Sequence, residues 1–227
     1  MIKLSDRLSA VASFVKVGAR ICDVGTDHGY LPVYLLQNNI VSSAIAADIN
    51  AGPLASAVKT AESCNLREKI TFVLTDGLCG IDEKSVDTVV IAGMGGETMV
   101  KILSASLWAT EKGRRLILQP QTKSEELLTY LRDKAALTDA KLCEDAGRLY
   151  QIFVFEGGGE TTLTPEEIYI RNHDGLFIRY ADTMLHRLNT AYAGIKTSDE
   201  NSPLLYEIAE KADRFMKLKG EYENGNR

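Results

Sequence analysis

Apolar residues along the chain fall into two patterns. Short runs bounded by Gly, Asp or Pro lie at Ile21–Val24, Ser43–Ala47, Ile70–Leu74, Val86–Ile91 and Arg115–Leu118, and read as buried strands. Between them, apolar positions recur every three or four residues and predict helices over 5–15, 31–37, 53–64, 98–106 and 124–134. Ser5 is placed to cap the first helix and Gly18 ends it; Pro32 falls in the first turn of the second. Two further runs, Lys141–Ala146 and Leu149–Phe155, meet at Gly147-Arg148 and predict an antiparallel pair. The chain thus reads as β/α repeated five times and then a hairpin. The fold class is α/β: a mainly parallel sheet covered by helices on both faces, with an antiparallel edge.

Gly157-Gly158-Gly159 reads as a linker, dividing the chain into domains at 1–159 and 160–227. Beyond it, Leu176, Phe177, Tyr180, Met184, Leu185, Leu188, Tyr192 and Ile195 recur at helical spacing. After a break at Thr197–Pro203, Leu204, Leu205, Ile208, Ala212, Phe215 and Met216 do the same. Two such helices predict an antiparallel coiled-coil hairpin, with the stripe as packing. His173 and His186 fall in this hairpin, and the polar tail Glu221–Arg227 is expected to fray.

Composition narrows the class. With 45% hydrophobic and 25% charged residues over 227 positions, the chain has the balance of a soluble globular protein. It has no apolar run long enough to span a membrane, and its first residues lack the apolar core of a signal peptide. Cys22, Cys64, Cys79 and Cys143 form no CxxC pair, so neither a zinc site nor a disulfide framework is expected; no metal is implied, and the expected compartment is the cytoplasm. A net charge of −5 argues mildly against a nucleic-acid partner, but local distribution matters more. Lys3, Arg7, Lys16 and Arg20 cluster near the start, and Lys112, Arg114 and Arg115 near the middle. Each cluster alone is an ordinary solvated face; flanking one crevice, the two would form a phosphate-binding surface.

The chemistry concentrates at the strand ends. The first strand runs into Asp23-Val24-Gly25-Thr26-Asp27-His28-Gly29, the second into Asp48-Ile49-Asn50, the third into Asp76-Gly77-Leu78 and the fourth into Gly93-Met94-Gly95-Gly96. In an open α/β sheet all four emerge on the edge where ligands bind. Asp23 can accept from a ligand ammonium. Asp48 suits a ribose diol, and Asp76 an adenine amine with Ile49 or Leu78 packed on the ring. Singly, such an Asp is more often a turn residue or helix cap; four loops with a polar or glycine signature at successive strand ends point to a crevice. The first loop is not GxGxxG, and Asp27 would repel a pyrophosphate, which disfavours a nicotinamide enzyme. An acidic loop suits a ligand with an ammonium and a sulfonium but no phosphate, which is S-adenosylmethionine.

Here the sequence resembles a known family. Lys3–Ala12 (KLSDRLSAVA), Asp23–Pro32 (DVGTDHGYLP), Asp76–Leu78 and Ile91–Met99 (IAGMGGETM) are similar to the bacterial tRNA adenine-22 N1-methyltransferases, within the class I S-adenosylmethionine-dependent enzymes. The resemblance implies a Rossmann-like seven-stranded sheet and methylation at N1 of a D-arm adenine of tRNA, with S-adenosylhomocysteine as product. The proline-aromatic motif found after strand four in many enzymes that methylate the adenine amine is replaced by Gly93–Gly96, which fits a ring-nitrogen target that has its own lone pair.

The expected site follows. Cofactor contacts are assigned to Arg7, Asp23, Gly25, Asp27, His28, Gly29, Asp48, Ile49, Asp76, Gly77, Leu78 and Gly93. His28, Tyr30 and Met94 are set beside the reacting methyl, and Lys3, Arg7, Tyr30, Gly95, Gly96, Arg114 and Arg115 on the tRNA side. Several keep a second reading: Tyr30 as packing under the first helix, His28 as a helix cap, Arg7 as a surface residue, Gly93–Gly96 as a tight turn. Gln119-Pro120-Gln121 reads first as a plain loop, and second as a border of the acceptor pocket. The expected protein is a monomer with tRNA as partner and no membrane. The alternatives are a small-molecule methyltransferase on the same fold, and a non-catalytic RNA-binding protein with a relic cofactor pocket.

Overall fold

The computed structural model describes residues 2–225. Within them the chain forms two compact units that divide between Leu163 and Thr164. The first is a seven-stranded sheet. Its strands are β1 (Ala19–Val24), β2 (Val41–Asp48), β3 (Ile70–Leu74), β4 (Thr88–Gly95), β5 (Arg115–Thr122), β6 (Ala135–Asp145) and β7 (Arg148–Gly157). They lie in the order β3-β2-β1-β4-β5-β7-β6. Strands β1 to β5 pair in parallel, and β7 joins β5 antiparallel. The order reverses at β1, so the ends of β1 and β4 open the crevice expected of a doubly wound sheet.

Alternation decides what each face buries. Ile21 of β1, Ala44 and Ala46 of β2, Val90 of β4, Ile117 of β5 and Ile152 of β7 form one cluster. Helices α1 (Asp6–Ala12), α2 (Tyr30–Gln37) and α3 (Ala51–Ser63) cover it with Val11, Val33 and Ala61, all fully buried. Outside that cluster, α4 (Gly96–Ala105) and α5 (Ser124–Leu131) pack on each other, and α4 packs on β4 and β5. As expected, Ser5 caps α1 by accepting from the Leu8 amide.

Several bounds differ from the sequence-based expectation. β4 does not end at Ile91, and β5 does not end at Leu118. The two stay paired through Ala92↔Gln119, Met94↔Pro120 and Gly95↔Thr122, with register shifts on either side of Met94. Gly93, at φ +89°, supplies the irregularity, so the glycine run is a bulged strand end, not a loop. β6 starts six residues earlier than Lys141 because β7 carries its ladder on to Ala135↔Gly157.

The second unit holds α6 (Pro165–Arg171), α7 (Phe177–Ser198) and α8 (Leu204–Gly225). α7 and α8 pack as a helical pair, joined at 199–203 as the sequence break predicts. α6 was not expected. Thr164 and Glu167 form a reciprocal capping box around it, with Pro165 at its start, and that Thr-Pro-Glu-Glu signal stands in the sequence. His173 lies in the turn before α7, at φ +50°, rather than in the hairpin; His186 is on α7. Glu221–Gly225 continue α8 as helix, while Asn226 and Arg227 lie outside the described residues.

Candidate active site

The crevice begins with a loop stitched to the neighbouring strand. The amides of Gly25 and Thr26 both donate to the Ala47 carbonyl, at 2.8 and 3.0 Å. The Asp27 amide donates to Oδ2 of Asp48 at 3.3 Å, and Oδ1 of Asp48 accepts from Asn50 at 2.9 Å. Asp27 and Gly29 take left-handed backbone, φ +50° and +68°. Gly29 has no room for a side chain: a Cβ there would stand 2.9 Å from that of Ala57 on α3. The turn therefore brings Asp23, Asp27 and Asp48 to one edge.

Asp23 is buried, accepts from the Thr26 hydroxyl at 2.8 Å, and meets no cationic side chain among the described residues. Burial pushes its carboxyl up to about 6; the Thr26 hydrogen bond lowers it and the nearby Asp48 raises it. A buried acid without a countercharge is a site for a cationic group. Neighbouring Cys22 is inert, since burial and the Asp23 charge push its thiol up to about 12.

Beside the acids lies exposed apolar surface. Ile49 is 61% exposed at the end of β2, and Tyr30 42% exposed at the start of α2. The rings of His28 and Tyr30 stack, with centroids 5.3 Å apart and planes 16° from parallel; His28 Nε2 is 3.7 Å from Asp27. Tyr30 thus keeps part of its ring open to solvent, stacked on His28. Asp76 is exposed, 4.0 Å from Lys101, while Gly77 and Leu78 are buried beneath it. On the β4 side, the Met94 methyl lies against Gly25.

Arg7, half-buried on α1, reaches the same edge. Its Nη1 donates to Oε1 of Gln119 at 2.6 Å, and its guanidinium lies 5.7 Å from the centre of the Tyr150 ring. Lys3 is exposed, and Gly95 and Gly96 stand at the junction of β4 and α4. Arg114 and Arg115 are elsewhere. They lie at the start of β5, roughly 23 Å along the strand from its crevice end. Arg115 pairs with Glu156 and donates to the Phe14 carbonyl; Arg114 donates to the carbonyls of Glu83 and Val86. Their chain position beside a parallel strand's start put them at the opposite edge, so the two basic clusters do not flank one crevice. Lys16 and Arg20, paired with Glu156 and Asp87, engage the same residues and strands as Arg115 does.

A methyltransferase domain model matches residues 4–153, which span the sheet and all these strand ends. The tRNA (adenine(22)-N(1))-methyltransferase of Bacillus subtilis is 30% identical over 235 aligned positions, covering 99% of each chain. The chain belongs to this family. Solved structures of its members superpose along nearly the whole chain. The B. subtilis m1A22 tRNA methyltransferase TrmK gives a TM-score of 0.84 at 29% identity, covering 96% of this chain and 100% of that one. Mycoplasma capricolum TrmK, solved with S-adenosylhomocysteine, gives 0.81 at 26% identity, covering 96% of this chain and 99% of that one.

One member of the edge, Tyr150, escapes the sequence reading, and another, Gln119, stands there only in a segment whose second reading borders the acceptor pocket. The available signal was Gln119 itself, an amide directly after the apolar Leu116-Ile117-Leu118. Tyr150 gave none, because pairing of β7 with β5 is long-range. Among the described residues no cluster of His, Cys, Asp and Glu could hold a metal ion, and no helix is long and apolar enough to cross a membrane.

Proposed function

We propose that this protein transfers the methyl group of S-adenosylmethionine to N1 of adenine 22 in the D arm of tRNA, giving 1-methyladenosine and S-adenosylhomocysteine. The observation that carries this is the end-to-end match to the B. subtilis enzyme of that name, 99% of both chains, over a crevice with the right chemistry. When bound, the cofactor supplies a methyl already activated on a sulfonium.

The crevice fits that group. Buried Asp23 offers its carboxylate to an ammonium. Asp48, fixed by two backbone amides, keeps lone pairs for a ribose diol. Asp76 takes an exocyclic amine, and exposed Ile49 offers its side chain to an adenine ring. Gly25, Asp27, Gly29, Gly77, Leu78 and Gly93 shape the backbone around it.

The remaining task is alignment, since N1 has a lone pair and needs no base to remove a proton. N1 lies on the Watson–Crick edge, so the adenine must leave its stack. Tyr30, already stacked on His28 and exposed, receives the base; His28 orients it, and Met94 packs between base and cofactor. Gly95 and Gly96 let the nucleotide approach the backbone, and Lys3 faces phosphate. The enzyme works as a monomer in the cytoplasm, where the free thiols of Cys22, Cys64, Cys79 and Cys143 suit a reducing compartment.

The test is methyl transfer from labelled S-adenosylmethionine to two tRNA transcripts differing only at position 22, A or G, followed by nucleoside mapping. Label is expected only in the A22 transcript, as 1-methyladenosine. Label in both moves the target; label in neither, with cofactor binding intact, removes tRNA as the acceptor.

A further inference from the structure

Gln119 is a polar side chain where the fold has no structural need of one. It is 0% exposed, on β5, directly after three buried aliphatic residues. Burying an amide costs free energy unless both its ends are bonded. Here its Nε2 donates to the Pro120 carbonyl at 2.9 Å and its Oε1 accepts from Arg7 at 2.6 Å. The first bond fixes the amide's direction, and the guanidinium, which can only donate, requires the oxygen to face it.

The register puts this pair opposite the acids. Ile21 and Ile117 share the face covered by α1, and alternation puts Asp23 and Gln119 on that face too. Asp23 pairs with Val90 of β4, and Ala92 of β4 with Gln119. Arg7 lies over the β4 bulge: a Cβ at Gly93 would stand 3.4 Å from its Nη1 and 3.6 Å from Gln121 Nε2. Gln119 is its only hydrogen-bond acceptor among the described residues, so most of the guanidinium's donors are unspent. A buried carboxylate without a countercharge on one strand and a half-buried cation beyond the next form a complement to an amino-acid zwitterion.

We infer that Gln119 is a positioning residue: it holds the Arg7 guanidinium over Gly93 to receive the carboxylate at the methionine end of the cofactor, an inference that rests on the S-adenosylmethionine site proposed above. The recess favours this small anion over an RNA phosphate. Arg7 is only half-buried, yet its guanidinium is pinned from below by Gln119 and covered on one side by Tyr150.

The experiment compares two probes by calorimetry. S-adenosylhomocysteine carries the amino-acid end, and 5′-methylthioadenosine has the same adenosine and thioether without it. Gln119→Met keeps length and apolar packing but removes the acceptor. It is expected to weaken S-adenosylhomocysteine about tenfold, the scale of one charge-assisted contact, and to leave 5′-methylthioadenosine within twofold. Arg7→Met should lose at least as much on the first probe alone, and adding Gln119→Met to it should lose nothing more. Equal losses on both probes, no loss on either, or an additive double variant each overturn the inference. Should Gln119→Met fail to fold, Gln119→Asn, whose amide stops one methylene short of Arg7, is read by the same selective loss. A parent protein that binds neither probe overturns the cofactor site itself, an outcome distinct from all of these.

Discussion

At the scale of the residue, Asp23 carries the sharpest consequence. Its carboxyl, ordinarily near 3.8, holds its proton up to about 6 when folded. Between these values the folded state binds more protons than the unfolded chain, so this group's contribution to stability falls as pH rises from about 4 to about 6. The full difference is on the order of 3 kcal/mol. Asp23→Asn removes that slope, so the cofactor-free variant should exceed the parent in stability at pH 7.5 by roughly 2–3 kcal/mol, and by much less at pH 4.5. Urea unfolding at the two pH values measures this, and an equal difference at both would sink the assignment. Because an ammonium pairs only with the ionised carboxyl, affinity for S-adenosylhomocysteine should rise with pH and level off above about 6. The stacked rings give a second prediction. If His28 and Tyr30 hold the base, Tyr30→Ala should lower kcat by a factor of about 100 while S-adenosylhomocysteine affinity changes less than threefold. Unchanged turnover in both Tyr30→Ala and His28→Ala removes the pair from the catalytic list.

At the scale of the element, the instructive cases are where strands outran their apolar runs. Ile91 and Leu118 end the hydrophobic stretches, yet β4 and β5 continue to Gly95 and Thr122 because each supplies the other's backbone partners past the bulge. Periodicity registers burial, not pairing, so an element held by a ladder reads short. α6 shows the reverse: its seven residues carry too few apolar positions to set a period, but its cap is written in sequence. Thr164→Ala removes the acceptor for the Glu167 amide and should cost about 1 kcal/mol of the second unit's stability. Differential hydrogen exchange is the measurement. Protection should drop at the first turn of α6 while β1 to β5 stay unchanged, and an unaffected α6 would mean the cap contributes nothing.

At the scale of the molecule, the two compact units predict separable behaviour. Every cofactor contact proposed above lies before Leu163, and the sheet has its own buried core. A chain ending at Leu163 should therefore unfold cooperatively and bind S-adenosylhomocysteine within threefold of the parent. If the helical unit helps hold tRNA, the truncated chain should lose affinity for the A22 transcript by tenfold or more. Filter binding at two salt concentrations reads this, and full tRNA affinity would discard a binding role for α6 to α8. The charge of that unit, nine basic against eleven acidic residues over 163–227, argues that any such contact depends on shape more than on phosphate neutralisation.

What the sequence determined by itself is what local chemistry encodes. Asp23-x-Gly25, Asp48, Asp76-Gly77 and the Gly93–Gly96 run mark strand ends because acids and glycines interrupt apolar runs. The alternation of runs fixes an α/β sheet, and the motifs at those ends were specific enough to carry the family. What only the tertiary structure decided is which of these residues meet. Arg114 and Arg115 sit at the wrong end of β5, a consequence of strand direction. Arg7 joins the crevice because α1 packs over the sheet, more than 100 positions from the Gln119 that receives it. Gln119 reads first as part of a plain loop, and only the fold shows it as a buried amide bonded to Arg7. Long-range pairing and packing set those meetings, and neither leaves a local trace in the order of residues.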